Sequence, residues 1–438
     1  MTPRQLFERE FSVDNLKVIF NERIAQTATT GKDGVAPAAF GASLEQEIVR
    51  TISKVRAKTY CFTTYKQRLV LKGAGKPPRE ISIATVRDRL VLRALTNILM
   101  ECFSERRLPA PHHFVRELSE LVRPLDDTYS FVQIDVRDFY PSIVHTHLMC
   151  RLRSKIRSAE ILHVIESAIR TPTGSKEAIN SVGVPQGLSI SNILSAIYMT
   201  RFDELMHSKY AYFRYVDDIV IVCRSDKAKK TLSSVARKLK EIGLTCHELS
   251  NNGKTKISSI SSGIDYLGYN LSPNSISVRK SSYKRMMDNI IAVLTAAKHT
   301  ANHTKILMRL NIKITGCIFN EKRMGWMFFF SMTSDIKQLR RLDNFVSRAW
   351  RRAGLDKFGK PKRFVKSYYE IRYNLKETKY IPKFDEYSTD QKAKLIADME
   401  VKNFDEVRSW SVERINRTFL RLVRKEVAEL ERDVTPIS

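Results

Sequence analysis

Two short apolar segments that each meet an aspartate constrain the fold of this chain more than any other feature. Residues 131–134 (FVQI) predict a buried strand that runs into Asp135. Residues 211–214 and 219–223 predict two more strands, and the YVDD sequence between them predicts a tight hairpin turn. Asp is rare inside buried strands, so acids at the tips of two separate elements require an explanation.

The simplest explanation for these acids is local structure. Asp is a favoured turn residue, which would account for Asp217 and Asp218, and a capping or turn role is the default for Asp135. A second explanation is that acids from separate hairpin elements converge on two Mg²⁺ ions roughly 3.5–4 Å apart. Mg²⁺ takes hard oxygen ligands and needs only one or two carboxylates besides substrate phosphates. On this hypothesis the site holds two Mg²⁺ ions, with Mn²⁺ as a substitute.

Positive charge is the second strong signal. The 438 residues include 75 Lys and Arg against 47 Asp and Glu, a net charge of +28. A surplus of this size indicates a polyanionic partner, either nucleic acid or an acidic membrane surface. The surplus is uneven, because residues 279–366 hold 21 Lys or Arg and 5 Asp or Glu. We therefore expect a basic module after a more balanced body, with a boundary near residues 272–274.

Composition also argues against several other classes of protein. No apolar run approaches the roughly 18 residues that a membrane span needs. The first residues, MTPRQLFEREFSVD, mix both charge signs and lack the apolar core of a secretory signal. Six cysteines lie at least 23 residues apart, which excludes a CxxC zinc site and argues against a disulfide scaffold. We expect no membrane partner and a reducing compartment, the cytoplasm or else the nucleoplasm.

Hydrophobic periodicity predicts further elements around these strands. Apolar residues at helical spacing indicate four helices, the third opened by a Ser N-cap, at 44–57, 86–103, 189–206 and 227–242. A second hairpin is expected from residues 266–269 (YLGY), and the pattern beyond about residue 283 is almost wholly helical. The body is therefore expected to be α+β and to be followed by a helical basic domain.

Three segments resemble the palm motifs of reverse transcriptases and occur in the order of that family. They are FVQIDVRDFYPSI (131–143), GVPQGLSISNILSAIYM (183–199) and FRYVDDIVIV (213–222). Two downstream segments are similar to the next two motifs, and one upstream segment resembles the fingers: NNGKTKI (251–257), IDYLGYNL (264–271) and KPPREISIATVRDRLVLRALTNIL (76–99). The resemblance covers about residues 60–275. It implies an RNA-directed DNA polymerase with a right-hand fold of fingers and palm, followed by an all-α basic thumb-like domain.

The resemblance also divides the chain into expected segments. They are an N-terminal helical extension (1–60), fingers (61–130), a palm (131–275) with a fingers insertion (145–182), a thumb-like domain (276–366) and a helical tail (367–438). The tail alternates charged and aromatic residues. The sequence leaves open whether it docks a structured RNA or closes the thumb.

Site residues follow from the resemblance motif by motif. It implies that Asp135, Asp217 and Asp218 are catalytic metal ligands and that the carbonyl of Val136 assists them. It implies that Tyr140 is a steric gate whose ring stands where the 2′-hydroxyl of a ribonucleotide would project. The expected substrates are therefore dNTPs. The ordinary alternative for Tyr140 is a core aromatic.

Further residues are expected to hold the nucleotide. Gln186 matches a residue that touches its sugar and base, with Gly183 and Gly187 allowing close backbone approach. Arg79 resembles the arginine that grips the triphosphate, with Lys76 as a second candidate. A solvated basic loop is the alternative for Arg79, because Lys72, Arg87 and Arg89 are near in sequence.

A lysine near the pyrophosphate leaving group is also expected. Lys254 matches this position in the family, and Lys256 competes with it. A surface lysine is the alternative.

The basic module contains a helix with one strongly cationic face. Spacing places four cations on that face: Lys337, Arg341, Arg348 and Arg352. A solvated charged face is the ordinary interpretation, but the bias toward one sign is too strong for mixed pairing. Together with the preceding MGWMFFF segment, this helix resembles the thumb of intron-type enzymes. We expect it to track a template–product duplex through phosphates.

Departures from the family narrow the subtype. Only 72 residues follow position 366, too few for an RNase H domain. Intron maturases carry Ser-Pro where this chain has Ser191-Asn192, and a YGFRP-like segment where it has PAPHHFVREL (109–118). No Cys/His endonuclease module appears.

The chain looks more like bacterial enzymes of the abortive-infection and antiphage-defence group. That resemblance implies an RNA template, expected to be a structured noncoding RNA, and a DNA product. An intron maturase-like enzyme and a catalytically idle RNA-binding scaffold are the alternatives.

Overall fold

The computed structural model describes residues 1–71, 77–107, 109–251, 253–300 and 302–434. The α-helices in chain order are α1 (Pro3–Glu10), α2 (Val13–Ile19), α3 (Pro37–Ala42), α4 (Leu44–Arg56), α5 (Val86–Cys102), α6 (Pro111–Val122), α7 (His145–Arg153), α8 (Ala159–Arg170), α9 (Ser191–His207), α10 (Ala228–Glu241), α11 (Lys280–Ala296), α12 (His303–Thr315), α13 (Trp326–Phe329), α14 (Ile336–Arg352), α15 (Phe364–Tyr373), α16 (Thr389–Glu400), α17 (Phe404–Arg408) and α18 (Val412–Val434). The strands are β1 (Lys66–Val70), β2 (Arg79–Ile83), β3 (Tyr129–Arg137), β4 (Ala211–Tyr215), β5 (Asp218–Arg224), β6 (Thr245–Cys246), β7 (Lys256–Ser259), β8 (Ile264–Tyr266), β9 (Tyr269–Ser272), β10 (Ser275–Val278), β11 (Cys317–Phe319) and β12 (Lys322–Met324).

The chain forms two compact units, Met1–Ala110 with Asp127–Ser259, and Pro111–Asp126 with Ile260–Ser438. This division does not follow the segments expected from sequence, whose names stay predictions. The α+β class that the sequence predicts is confirmed. No helix among the described residues is both long and apolar enough to cross a bilayer.

The first unit is built on a five-stranded antiparallel sheet with β3 at its centre. The order is β4-β5-β3-β6, and β7 pairs with the first half of β3 beside β6. Phe131, Val132 and Ile134 of β3 are fully buried, as expected for a strand covered on both faces. The pairing of β3 with β5 runs from Tyr129 opposite Arg224 to Asp135 opposite Asp218, so both strands bring an acid to the same end of the sheet.

Helices α5 and α9 bury most of their length in the core of this unit. The predicted helix 189–206 is present, but its Ser N-cap is wrong. The helix begins at Ser191, and the residue before it, Ile190, makes no capping hydrogen bond. The Ser191 hydroxyl instead donates to the carbonyl of Pro185 at 2.6 Å, which ties the start of the helix to the preceding loop.

The β1–β2 ribbon carries Arg79 at the start of its second strand. The side chains of β1 are exposed, so core burial does not hold the ribbon in place. Two backbone contacts hold one end of the ribbon: Tyr65 bridges Thr173, and the Ser82 amide donates to the Gln186 carbonyl at 2.7 Å. The ribbon is thereby attached to the segment that carries Gln186.

The second unit contains a three-stranded sheet, β10-β9-β8, and a helical assembly. The predicted hairpin at 266–269 is confirmed. Leu267 and Gly268 turn it with φ of 48° and 85°, the left-handed pair that a tight hairpin requires.

The expectation of an almost wholly helical chain beyond residue 283 is wrong at the β11–β12 hairpin. Strands of three residues are too short for a period of two to be visible in sequence. Gly316, with φ of 68°, marks the entry to this hairpin, and a Cβ there would lie 2.3 Å from the Met324 carbonyl oxygen. Cys317 and Phe319 of β11 pack in one core with Phe384 and Phe419 of the C-terminal segment.

Candidate active site

The sheet of the first unit brings the three predicted acids together. Asp135 and Asp218 are direct cross-strand partners at the end of the β3–β5 pair. The amide of Val136 donates to the carbonyl of Asp217 at 3.3 Å, which fixes the hairpin turn against β3. The arrangement arises because two apolar strands pair in the register that leaves their polar tips side by side.

The turn that carries Asp217 is held in an unusual backbone conformation. Val216 has φ of 59°, and a β-branched side chain at positive φ is a genuine outlier. Such conformations cost of order 1–3 kcal/mol and persist only when the surroundings fix them. Arg214 supplies that constraint by donating from Nη1 to the Val216 carbonyl at 2.8 Å.

Arg214 is itself anchored in a buried ion pair that sequence reasoning missed. Its Nε donates to Oδ1 of Asp203 at 2.7 Å, and the Tyr212 hydroxyl donates to the same oxygen at 2.7 Å. Burial alone would lower the pKa of Arg214, but the Asp203 carboxylate outweighs burial and raises it. The guanidinium therefore stays charged. No motif links Asp203 to Arg214, because the helix α9 and the strand β4 meet only in the folded chain.

Asp135 makes two contacts with cationic or titratable side chains. Nζ of Lys254 lies 2.9 Å from its Oδ1, and Nε2 of His247 lies 3.2 Å from the same atom. The structure thus places Lys254 against Asp135, while its competitor Lys256 lies in β7 opposite Gln133. The predicted role of Lys254 at the pyrophosphate stays a prediction. His247 was not predicted, since a histidine after a two-residue strand gives no sequence signal.

The charges of this cluster act on one another. Burial raises the pKa of Asp217, and the nearby charge of Asp135 raises it further, while Lys254 and Arg79 oppose both effects. The negative charges of Asp135 and Asp217 therefore repel each other, and a bound cation would relieve that repulsion. Among the described residues, no three Asp, Glu, His or Cys side chains already converge on one metal position. The donor set of three carboxylates nevertheless fits hard divalent cations, and Lys254 provides a positive charge at that place.

Tyr140 lies near the same end of the sheet, in a single 3₁₀ turn. The ring is half-buried, and its hydroxyl donates to Oδ1 of Asn192 at 2.6 Å. Burial is the main reason that the pKa of Tyr140 rises to about 12, and the charge of Asp217 adds to it. The ring is thus held by two contacts. It packs against the ring of Phe139, with centroids 5.4 Å apart, and its hydroxyl hydrogen-bonds to Asn192.

Arg79 and Gln186 line one pocket of about 290 Å³ in the first unit. Lys176 lines the same pocket, a residue that sequence reasoning missed because it is a single lysine in a polar loop. The acids Glu80 and Asp138 also line it, and Lys176 lies 3.4 Å from Glu80. The pocket therefore contains the cations Arg79 and Lys176 beside the backbone of the Gln186 segment.

The glycines of the Gln186 segment have a role within the protein. Gly183 and Gly187 have φ of 90° and 98°. A Cβ on Gly187 would lie 2.7 Å from Cγ2 of Ile81, and one on Gly183 would lie 2.9 Å from the Pro141 carbonyl oxygen. Both glycines thus allow the segment to pack closely against β2 and against the turn that carries Tyr140.

Four other cations were candidates for binding the triphosphate, and the two that the structure describes contact residues elsewhere. Arg87 donates to the Thr63 hydroxyl at 3.2 Å and stands over the ring of Tyr60. Arg89 donates to Thr27 and Thr29 at 3.1 and 3.0 Å. These contacts secure the packing of α5 against its surroundings. Lys72 and Lys76 lie outside the described residues.

The four cations predicted on α14 are all exposed. Arg341, Arg348 and Arg352 line a groove of about 670 Å³ within the second unit, together with Lys298. Ile291, Leu294, Phe345 and Ala349 contribute apolar surface to the groove. Lys337 is exposed on the same helix but is not among the lining residues. Among the residues that line this groove there is no acid.

Comparison with known proteins finds a family match for residues 70–271. Residues 70–271 match the family model of the reverse transcriptase (RNA-dependent DNA polymerase). The "Uncharacterized 91 kDa protein in cob intron" of Schizosaccharomyces pombe is 25% identical over 228 residues, which cover 47% of this chain and 28% of that protein. "Protein YkfC" of Escherichia coli (strain K12) is 23% identical over 317 residues, which cover 61% of this chain and 82% of that protein. The chain thus spans under a third of the first relative and most of the second.

Two solved structures are distantly similar. An apo telomerase from Candida tropicalis, truncated from its C-terminal domain, has a TM-score of 0.39 at 16% identity and covers 50% of this chain and 55% of its own. A telomerase from Candida albicans in complex with a TWJ fragment of telomeric RNA has a TM-score of 0.41 at 13% identity and covers 91% and 68%. The matched family segment contains both aspartate motifs and the sheet that joins them. Residues 70–271 therefore match a reverse transcriptase domain, and both aspartate motifs lie inside the matched segment.

Proposed function

We propose that the chain extends a primer on an RNA template with dNTPs and that Asp135, Asp217 and Asp218 hold two Mg²⁺ ions for this reaction. The observation that carries the proposal is the register of β3 and β5, which sets Asp135 opposite Asp218. Asp217 lies in the adjoining turn, and burial together with the negative charge of Asp135 raises its pKa. Bound divalent ions would activate the 3′-hydroxyl and neutralise the leaving pyrophosphate.

The residues around the acids have distinct roles in this proposal. Arg214 and Asp203 hold the turn so that Asp217 keeps its position. The carbonyl of Val136 adds an oxygen donor beside Asp135. Nζ of Lys254 lies 2.9 Å from Oδ1 of Asp135. When the cations bind the carboxylates, Lys254 is released and contacts the pyrophosphate.

Nucleotide binding is assigned to the pocket of Arg79 and Gln186. The guanidinium of Arg79 suits triphosphate oxygens, and its charge also acts on Asp217 and Tyr140. Tyr140 selects dNTPs because its ring, held by Asn192, blocks the 2′ side of the sugar. In the second unit, the cationic face of α14 and its groove bind phosphates of the template–product duplex.

We propose, more specifically, that this polymerase acts in bacterial antiphage defence and copies a structured noncoding RNA template. The support for this role is the resemblance of the LSISNIL and PPREISIATVRDRL segments to that group. An intron maturase-like role is the second candidate, favoured by the similarity to the Schizosaccharomyces pombe protein in the cob intron. The Tyr140–Asn192 hydrogen bond argues against it, because the proline that maturases carry at this place has no side-chain acceptor. Sequencing the RNA that copurifies with the protein separates the two: an intron supports the second candidate, and a short structured RNA supports the first.

Primer extension on an RNA template with Mg²⁺ tests the proposed activity. The Asp217→Asn, Asp218→Asn double variant should lose incorporation, because the amides cannot neutralise divalent cations, while RNA binding stays within a few-fold of wild type. The matched control is Asp226→Asn, an exposed acid beyond the end of β5. Unchanged synthesis in the double variant would refute the metal assignment. No synthesis by wild-type protein, with RNA binding intact, would favour the idle scaffold.

A further inference from the structure

A pair of exposed tyrosines on α15 has no role in the function proposed above. Tyr369 and Tyr373 are 48% and 72% exposed, and one helical turn separates them. Their rings are 6.1 Å apart between centroids and inclined by only 26°. Large aromatic side chains are ordinarily covered, and an i,i+4 aromatic pair contributes only a few tenths of a kcal/mol to a helix. Helix stability alone therefore does not account for this surface.

Two neighbouring side chains, Tyr368 and Arg372, contact the exposed rings of Tyr369 and Tyr373. The buried Tyr368 meets the ring of Tyr369 edge-on, with centroids 5.3 Å apart. Arg372 donates to the Tyr368 hydroxyl at 2.8 Å, and its guanidinium stands 5.8 Å from the Tyr373 ring centroid. The exposed rings thus belong to an ordered cluster, and little conformational entropy remains to be lost when a ligand covers them.

Positive charge surrounds the tyrosine pair. Residues 357–383 contain nine Lys or Arg and two Glu. Lys366 lies on the same face of α15 as the pair, three residues before Tyr369, and is exposed. Of the two acids, Glu370 is engaged by the side-chain amide of Asn374 at 2.9 Å, near the C-terminal end of the helix. An apolar, aromatic surface with a cationic rim complements a ligand that presents flat rings along an anionic backbone.

We propose that Tyr369 and Tyr373 form a stacking platform for the unpaired bases of a single-stranded RNA, whose phosphates contact Lys366 and Arg372. Base stacking on aromatic side chains tolerates any sequence, and arginine adds a cation–π contribution. Bases inside a duplex are already stacked on one another and do not offer a face, so the platform discriminates single from double strands. The choice of RNA rests on the proposed function, since an RNA-directed polymerase must hold unpaired template. The platform is separate from the α14 groove, which binds phosphates without reading bases.

The test measures binding of a fluorescent, unstructured RNA oligomer of A and C to the full-length chain at fixed salt. Tyr369→Ala and Tyr373→Ala should each weaken affinity by about fivefold or more, and the double variant by about twentyfold or more. Tyr369→Phe and Tyr373→Phe keep the ring and should bind within about twofold of wild type. Val412→Ser, another exposed apolar residue, is the matched control. Affinity for an RNA duplex of equal length should not change in any of these proteins.

Two results would overturn the platform. In one, the folded double Ala variant binds single-stranded RNA as tightly as wild type. In the other, its affinity for the duplex falls to the same degree, which would assign the effect to charge and not to stacking. Since binding is measured without dNTPs, primer extension run in parallel keeps the two proposals apart. Wild-type protein that synthesises DNA while the Ala variants bind RNA normally refutes the platform alone. Loss of binding in the Ala variants without any synthesis by wild type refutes the polymerase proposal alone.

Discussion

Arg214 donates a hydrogen bond to the main-chain carbonyl of Val216 at 2.8 Å from a position that is almost fully buried. The same guanidinium is paired with Asp203, so a buried ion pair holds the strained turn that presents Asp217. A buried residue of β4 thus determines the position of the Asp217 carboxylate in the turn that follows that strand. Arg214 is in this sense a positioning residue.

Removal of Arg214 should destabilise the first unit. In Arg214→Met the Asp203 carboxylate remains buried without its partner, a change that costs roughly 3–5 kcal/mol of unfolding free energy. Arg214→Lys keeps the charge but cannot reach both Asp203 and Val216, so it should lose less stability yet lower the rate of nucleotide addition. Urea unfolding and primer extension measure the two effects. The matched control is Arg224→Met, on the exposed end of β5. An unchanged urea midpoint in Arg214→Met would contradict the role of this pair.

The sequence predicts the local elements of the site well. The apolar runs before Asp135 and around the turn at Asp217 are strong because these strands lie largely in the core, where most side chains are hydrophobic. The hairpin turn is visible because its acids interrupt that pattern. These signals depend on neighbours in the chain, which is why they can be read without a structure.

Contacts between distant segments could not be predicted in the same way. His247 meets Asp135 across 112 positions, and only the pairing of β6 with the end of β3 brings them together. The Ser N-cap failed for a related reason, since the hydroxyl of Ser189 accepts a hydrogen bond from the Thr96 hydroxyl at 3.0 Å, 93 positions earlier in the chain. In both cases a long-range contact, invisible to local pattern, decides which partner a polar atom takes.

The sugar gate is tested by trimming Tyr140. Tyr140→Ala removes the ring that stands on the 2′ side of the sugar, so the ratio of rNTP to dNTP incorporation should rise at least tenfold, about 1.4 kcal/mol of discrimination. Tyr140→Phe, which loses only the hydroxyl, should raise it less. Asn192→Ala frees the hydroxyl from its acceptor and should resemble Tyr140→Phe.

Stability must be measured alongside, because the ring is half-buried. A folded and active Tyr140→Ala protein with an unchanged ratio would place the gate at another residue. Wild-type enzyme that already prefers rNTPs would overturn the substrate class itself.

The cationic face of α14 is tested by removing its charge. Changing Lys337, Arg341, Arg348 and Arg352 to Gln should weaken nucleic-acid binding. It should also flatten the dependence of log affinity on log salt, by up to about 0.7–0.9 units for each phosphate that the variant no longer neutralises. The matched control removes four exposed cations from α10: Lys229, Lys230, Arg237 and Lys240. If affinity falls equally in both variants, the net charge of the protein and not the α14 groove is responsible.

The last prediction concerns the pH dependence of stability. His145 is buried, and its Nε2 lies 2.6 Å from the carbonyl oxygen of Gly183, which can only accept, so Nε2 carries the hydrogen of the neutral ring. Burial is the main cause that lowers the pKa of His145, and Arg170 adds to it, while the Gly183 carbonyl and Glu166 act in the opposite direction. The folded chain therefore takes up the proton less readily than the unfolded chain, in which histidine titrates near its ordinary value of about 6.5.

Below that ordinary value the unfolded state binds more protons than the folded state, so the free energy of unfolding must fall as the pH drops from about 6.5 toward the lowered pKa of His145. His145→Gln can still donate to Gly183 but does not titrate, and its stability should vary less over the same range. His147→Gln, an exposed histidine on the same helix, is the matched control and should follow wild type. Urea midpoints measured between about pH 5 and pH 8 give the comparison. Parallel curves for wild type and His145→Gln would show that His145 takes up its proton equally well in both states, against the burial argument.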